Sequence, residues 1–273
     1  MSESYRVVEP QTGVRIGFGD VWQRRELLGM LFQRQIAARY RQMLLGVVWL
    51  ALEPMAQLAM LTIVFGFLLR VDTGGYPYPL FAFSAMTGWW LFSKTLMSVA
   101  GSLQDNIGLI SKVYFPRLIL PLAATMKELF DGGVMVVILV GLSMLYGYLP
   151  TAKIVVLVPL FAYAALIGLG VGLWIATVMV RFRDVRPMMG LVLQAGMYAT
   201  PIVYPATLVP ERFAYAYQFN PMYWVVELSR WALMDKPVDI APPFFWSLGF
   251  VCVTVYGGLM VFAKTEKIVV DVQ

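Results

Sequence analysis

Histidine is absent from the chain and Cys252 is its single cysteine. That removes the usual neutral-pH proton shuttle and commonest metal ligand, and it leaves neither an intrachain disulfide nor a thiolate metal site. The groups left for chemistry are carboxylates and cations set between apolar runs: Glu53, Lys94, the trio Lys127, Glu128 and Asp131, and the late acids Glu211, Glu227, Asp235 and Asp239. Lys127 and Asp131 are four residues apart, and Glu227 and Arg230 three apart, spacings at which opposite charges pair on a helix. They read as ion pairs before they read as a nucleophile with its base. There is no glycine-rich phosphate loop closing on Lys-Ser/Thr and no Asp-x-Asp pair for a metal-bound sugar nucleotide. A chain that moves a solute against a gradient must then draw on an ion flux or on ATP hydrolysed by a separate subunit. Ion-driven carriers more often place acids or broken helices near the bilayer midplane, whereas most charge here falls towards one face.

The organising polar stretch is Leu103 to Arg117, LQDNIGLISKVYFPR, between two long apolar runs. Ile107, Ile110, Val113 and Tyr114 recur at helical spacing after Asp105, a candidate N-cap, and Pro116 closes the segment. Asp105, Asn106, Lys112 and Arg117 supply a polar rim. A one- or two-turn amphipathic helix is predicted. Two readings stay open at this point, a loop helix lying on the lipid surface and a wedge that seats in a partner.

The elements that position these groups follow from composition. Hydrophobic residues make up 60% of the 273 and charged residues only 14%, against about a quarter charged in soluble domains. Several runs approach the roughly 20 residues needed to cross a bilayer, so the chain reads as an all-α polytopic membrane protein with no room for a large soluble domain. The first 46 residues are polar and basic without a short apolar core or cleavage site, so the first span is expected to direct insertion.

Within them, Trp22 to Leu45 reads as a helix with Leu28, Phe32, Ile36, Tyr40 and Leu44 along one side and Arg34 and Arg41 on another. A basic amphipathic helix in the membrane surface is the natural reading, the alternative being a positive stop before the first span. Spans are then expected at Val47 to Leu69, with Glu53-Pro54 near its start, and at Leu80 to Ala100, with Lys94 inside it and facing a cavity or snorkelling. Leu118 to Tyr148 is too long for one straight crossing. Either its first half lies at the interface and the span starts at Gly132, or Lys127, Glu128 and Asp131 line a polar cavity. The fourth span, Ile154 to Val180, carries Gly168, Gly170 and Gly172 for close packing. A short fifth, Met188 to Ile202, runs into a region broken by Pro201, Pro205 and Pro210. Asn220-Pro221 then starts a helix ending near Met234, re-entrant or interfacial, and the last span is Phe244 to Phe262.

With the N-terminus inside, the cytoplasmic segments hold fourteen Lys and Arg and the outer links five: Arg70, Lys153, Arg212, Arg230 and Lys236. The bias predicts six spans with both termini cytoplasmic, organised as residues 1–46, a membrane domain 47–263 and a tail 264–273. The net charge of +5 is this bias and is not read as nucleic-acid binding.

Six stretches together resemble one family, the transmembrane subunits of type-2 ATP-binding-cassette exporters of O-antigen and related cell-surface polysaccharides. They are RYRQMLLGVVWLALEP (Arg39 to Pro54), YPYPLFAFSAMTGWWLF (Tyr76 to Phe92), SLQDNIGLISKVYFPRLILPL (Ser102 to Leu122), RFRDVR (Arg181 to Arg186), TPIVYPATLVPE (Thr200 to Glu211) and FNPMYWVVELSRWAL (Phe219 to Leu233), in the family's order. Where many relatives carry an acid before the tyrosine-arginine, this chain reads Arg34-Gln35-Ile36-Ala37-Ala38-Arg39.

The resemblance implies a homodimer in the bacterial inner membrane, two cytoplasmic ATPase subunits that bind ATP and Mg, a lipid-linked polysaccharide as substrate, and no cofactor or catalysis in this chain. It implies that Asp105, Asn106, Ile107, Ile110, Lys112, Tyr114 and Arg117 belong to a coupling helix docked on the ATPase. It likewise makes Phe32, Arg34, Ile36, Arg39, Tyr40 and Arg41 an interfacial gate helix. A polysaccharide path wants flat apolar faces that grip sugar rings without fixing them, which makes Trp89, Trp90, Phe92, Tyr198, Tyr204, Tyr223 and Trp224 channel candidates; the competing reading is an interfacial aromatic belt. Capsule and teichoic-acid-like polymers remain alternative cargoes. A membrane-embedded glycan polymerase or acyltransferase remains the alternative activity, although residues 200–241 offer it only Glu211, Glu227, Asp235 and Asp239 as acids.

Overall fold

The computed structural model describes residues 18–40, 48–113, 115–149, 151–182 and 184–271. Among them there are helices and turns and no strand. The α-helices are α1 (Phe18–Gln23), α2 (Arg25–Tyr40), α3 (Val48–Leu61), α4 (Tyr78–Gly101), α5 (Ile107–Ile110), α6 (Ile119–Leu145), α7 (Leu157–Met179), α8 (Val185–Ala199), α9 (Glu211–Tyr217), α10 (Pro221–Met234) and α11 (Pro242–Asp271). α3 continues as a wider π-helical stretch, Thr62–Leu68.

Four stretches among the described residues are long and apolar enough to cross a membrane: Val48–Leu68, Ile119–Leu145, Ala152–Met179 and Pro242–Lys264. The other two expected spans differ from these. α4 has the length, 24 residues, but Ser84, Thr87, Ser93, Lys94, Thr95 and Ser98 dilute its apolar character. α8 has only 15 residues, short of the roughly 20 a straight crossing needs.

The polarity of α4 follows from its place at the centre, packed by α6, α7 and α10. Two of its buried hydroxyls bond within the helix, Ser84 to the Phe81 carbonyl at 2.9 Å and Thr87 to that of Phe83 at 2.8 Å, so these two add packing without an unmet donor. The glycines of α7 bring the helices together. A Cβ at Gly168 would stand 2.6 Å from the Phe92 carbonyl oxygen, and one at Gly172 would stand 2.9 Å from that of Leu96. Gly88 of α4 admits Val225 of α10 in the same way, at 2.5 Å. One apolar cluster fills this centre around Phe81, Phe83, Leu139 and Val225; a second gathers Val99, Leu118, Ile119, Leu173 and Phe262 at the end of the bundle that carries α5.

Several expectations are redrawn. The N-terminal helix is two pieces with a turn at Arg24, and α2 packs along α6 with Leu31 buried, while Leu28, Phe32 and Ile36 are half-buried. Leu44 and Arg41 lie outside the described residues. α6 is one uninterrupted helix from Ile119, so its charges lie within it and not in a separate interfacial piece. α11 passes residue 264 without a break. The start of α10 is as the sequence indicates: the Asn220 side chain accepts from the Met222 N–H at 3.0 Å, with Pro221 in the first turn.

Candidate functional site

The polar stretch after α4 is a short, well-tied wedge. A 3-10 turn, Gln104–Asn106, leads into the single-turn α5, and Leu103 and Phe115 are buried on either side of it. Between these anchors Ile107 and Val113 are each 52% exposed, Ile110 is half-buried and Lys112 is exposed. Asn106 donates to the Ser102 carbonyl at 2.9 Å, and Gln104 donates to the carbonyl of Met179 at the end of α7. Asp105 is not the cap expected from the sequence. The N-cap position is Asn106, whose side chain makes no capping bond, and the Asp105 carboxylate takes a two-pronged contact from Arg186 of α8, at 2.9 and 3.2 Å. Arg117 is half-buried where α6 begins, and Tyr114 lies outside the described residues. A rigid turn holding apolar side chains outward is what a docking element requires.

Beside the wedge is a polar cavity of about 370 Å³, lined by Arg34, Arg39, Ser98, Asn106, Lys127 and Glu128 among others. Lys127 reaches Glu128 at 2.8 Å and Asp131 at 2.9 Å, Arg39 of α2 reaches Asp131 at 2.6 Å, and Ser98 donates to Glu128. Two buried acids are thus balanced by two cations, the condition under which charge survives away from water. Of the three charges in this part of α6, Lys127 and Glu128 line the cavity, and Asp131 pairs with Lys127 and Arg39. The Phe32 ring meets Phe130 edge-on, with centroids 6.3 Å apart. Arg34 is exposed on the cavity wall and Ile36 is half-buried; the side chain of Tyr40 and the whole of Arg41 are outside the described set.

A second cavity, about 400 Å³, opens between α3, α4 and α8, with Gln57, Trp89, Trp90, Lys94, Gln194 and Tyr198 on its walls. Lys94 faces this space with its ammonium 3.6 Å from the Glu53 carboxylate. Indole faces with amides and an ammonium between them can hold a polar chain without a fixed register. Phe92 packs on Trp89 at 5.2 Å. The Tyr204 hydroxyl donates to the Tyr198 carbonyl at 2.9 Å and meets the Tyr217 hydroxyl at 3.4 Å. Burial first, and the bond to Tyr217 second, push its pKa upward, so it stays a neutral donor. Tyr223 and Trp224 stand elsewhere. They pack on one another at 5.2 Å, and Trp224 is 1% exposed, with its indole N–H on the Gln218 carbonyl and its ring against Phe244.

α10 carries a feature that the pairing of Glu227 with Arg230 only partly announced. Arg230 is fully buried, 2.8 Å from Glu227, 2.9 Å from the Ile202 carbonyl and with its guanidinium carbon 3.5 Å from the centre of the Phe81 ring. Lys236 returns to Glu227 at 2.9 Å. This ties the proline-broken segment to α4. The contacts that sequence reasoning missed, Asp105 with Arg186, Arg39 with Asp131 and Arg230 with Phe81, all join residues far apart in the chain, and their signal was a surplus of charge beside each local pair.

Against this geometry the chain was compared with known proteins. The family model described as ABC-2 type transporter matches residues 26–234, from α2 to the end of α10. The chain belongs to the ABC-2 type transporter family. Among curated ABC-2 relatives, it is 28% identical over 205 residues to the O-antigen export system permease protein RfbA of Myxococcus xanthus, covering 74% of this chain and 78% of that protein. A Klebsiella pneumoniae protein of the same name is 24% identical over 243 residues, 88% of this chain and 92% of its own. The polysialic acid transport protein KpsM of Escherichia coli is 24% identical over 238 residues, 87% and 92% respectively. Within the ABC-2 frame, the wedge, the ionic cavity and the aromatic cavity all fall inside the matched range.

Proposed function

We propose that this chain is the membrane subunit of an ATP-driven exporter that moves a lipid-linked polysaccharide of O-antigen type across a bacterial inner membrane. The observation that carries the reading is the agreement of family and relatives: an ABC-2 type transporter match over three quarters of the chain, with relatives named for O-antigen export and polysialic acid transport. The outward-facing wedge is consistent with it. ATP and Mg belong to a separate ATPase, two copies of which would dock on a homodimer of this chain, with Ile107 and Ile110 as apolar anchors and Lys112 at the rim. ATP-driven closure of the ATPases would push the wedges and re-angle the spans as rigid bodies.

The six spans are α3 with its π-helical extension, α4, α6, α7, α8 and α11, with α9 and α10 folded back between the last two and both termini in the cytoplasm. α2 serves as the interfacial gate, held to α6 by Arg39. Trp89, Trp90 and Tyr198 face the sugar path, since indole and phenol faces pack on the C–H faces of pyranose rings while Gln57 and Gln194 exchange hydrogen bonds with passing hydroxyls. An anionic polymer is the second cargo class, favoured by the relative named for polysialic acid transport.

The test is translocation in sealed vesicles containing the subunit and its ATPase, scored by protection of a lipid-linked glycan from an added glycosidase. Protection that requires ATP is expected; glycan processing by the purified subunit without an ATPase would replace transport with enzymatic activity.

A further inference from the structure

Resting on the exporter reading, we infer that Asp105 and Arg186 form a positioning strut that transmits movement of the coupling wedge to α8 and so to the wall of the aromatic cavity. Three observations carry it. The first is where the strut ends. Asp105 lies in the 3-10 turn immediately before α5, and Arg186 is the second residue of α8. The guanidinium meets the carboxylate with both Nη atoms, at 2.9 and 3.2 Å. This fork fixes direction as well as distance, which a single lysine contact does not.

The second is how lightly α8 is held. Met197 is its one buried residue, and Met188, Leu191 and Val192 are 60%, 70% and 57% exposed. Within the chain, then, the fork at Arg186 is among the few contacts that hold the start of α8. Beginning one turn beyond Arg186, α8 contributes Gly190, Leu193, Gln194, Met197 and Tyr198 to the cavity that Trp89 and Trp90 line from α4. Displacing the start of α8 therefore displaces that wall.

The third is steric. A Cβ at Gly101 would stand 2.8 Å from Asp105 Oδ2 and 3.3 Å from Arg186 Nη2. The end of α4 has no side chain where the fork sits, so a methyl group there must shift the carboxylate without altering charge. Gln104, bonded to the carbonyl of Met179, ties the same turn to the end of α7, leaving the wedge joined to both helices that flank the 180–184 link.

Both strut side chains are about half exposed, so the contact adds little to stability. Its role is geometric, and that separates it experimentally from a structural one. Complexes carrying Asp105→Asn, Arg186→Gln, Gly101→Ala and the exchange Asp105→Arg with Arg186→Asp are purified with the ATPase and reconstituted. Co-purification, ATP turnover and glycan translocated per ATP are measured for each. Arg186→Gln and Gly101→Ala are expected to keep the ATPase and hydrolyse ATP while moving about tenfold less glycan per ATP, Asp105→Asn to show the same fall in glycan per ATP whatever share of the ATPase it keeps, and the exchange to recover at least half of the native ratio. Native stoichiometry in the single variants, or an exchange that recovers nothing while retaining its ATPase, overturns the strut and leaves the exporter reading standing. A native chain that retains no ATPase overturns both.

Discussion

At the scale of single residues, charge in this protein is spent on holding helices together. Arg230 is the extreme case, a guanidinium with no solvent exposure between Glu227, the Ile202 carbonyl and the Phe81 face. Removing one partner of a buried ion pair costs about 3–5 kcal/mol where the other is left without compensation; here Lys236 stays 2.9 Å from Glu227, so the cost falls below that range. Arg230→Met is expected to lower the thermal midpoint of the detergent-solubilised protein by several degrees; an unchanged midpoint would mean that the tie between α10 and α4 carries no stability. The pair of Arg39 with Asp131 makes a different prediction. Arg39 is the long-range ionic tie from α2 to α6, so Asp131→Asn should loosen α2 locally. Amide exchange over residues 25–40 is expected to rise at least about tenfold, equivalent to about 1.4 kcal/mol of local opening. Arg34→Gln, on the exposed face of the same helix, should leave exchange unchanged, and equal effects from the two would contradict the assignment.

At the scale of elements, close approach between α4 and α7 depends on glycine. Gly168→Leu would force side-chain atoms into the Phe92 carbonyl and Thr95, an overpacking that costs about 1–3 kcal/mol in ordinary cores. Gly141 of α6 is exposed and has nothing within 4 Å of a built Cβ, so Gly141→Ala should stay within about 0.5 kcal/mol of native. Chemical denaturation or thermal shift of the two variants compares them directly. Gly168, Gly170 and Gly172 were legible as packing residues from their spacing alone, as were the cap at Asn220-Pro221 and the helical pairing of Lys127 with Asp131, because each signal lies within one or two turns of chain. What was not legible shares a physical cause. Asp105 has the type and position of a cap, and only the arrival of Arg186 from 81 residues away decides that its carboxylate is used elsewhere. Trp224 and Trp89 look alike as aromatics beside apolar runs, yet one packs against Phe244 and the other borders a cavity, a difference set by which helices α9 to α11 bring alongside. The turn at Arg24 and the continuity of α6 past its charges are likewise decided by packing of α2 on α6 and not by local propensity.

At the scale of the whole molecule, the chain is a membrane protein of the ABC-2 family with a short outward wedge, and the proposed function assigns that wedge to an ATPase partner. The wedge lies beside the ionic cavity, with Ile107 and Val113 exposed on it. Ile107 is 52% exposed, while Ile110 is half-buried against the second apolar cluster, so stability is followed beside assembly when both are replaced. The decisive measurement is ATPase co-purification and activity of the native chain beside a chain carrying Ile107→Glu and Ile110→Glu, with thermal stability followed in both. The native chain is predicted to retain the ATPase at equal copy number, and the double variant to lose it, or to leave its hydrolysis unresponsive to glycan, while still unfolding in one cooperative transition. A native chain that brings down no ATPase, or a double variant that keeps a fully responsive one, would contradict the account.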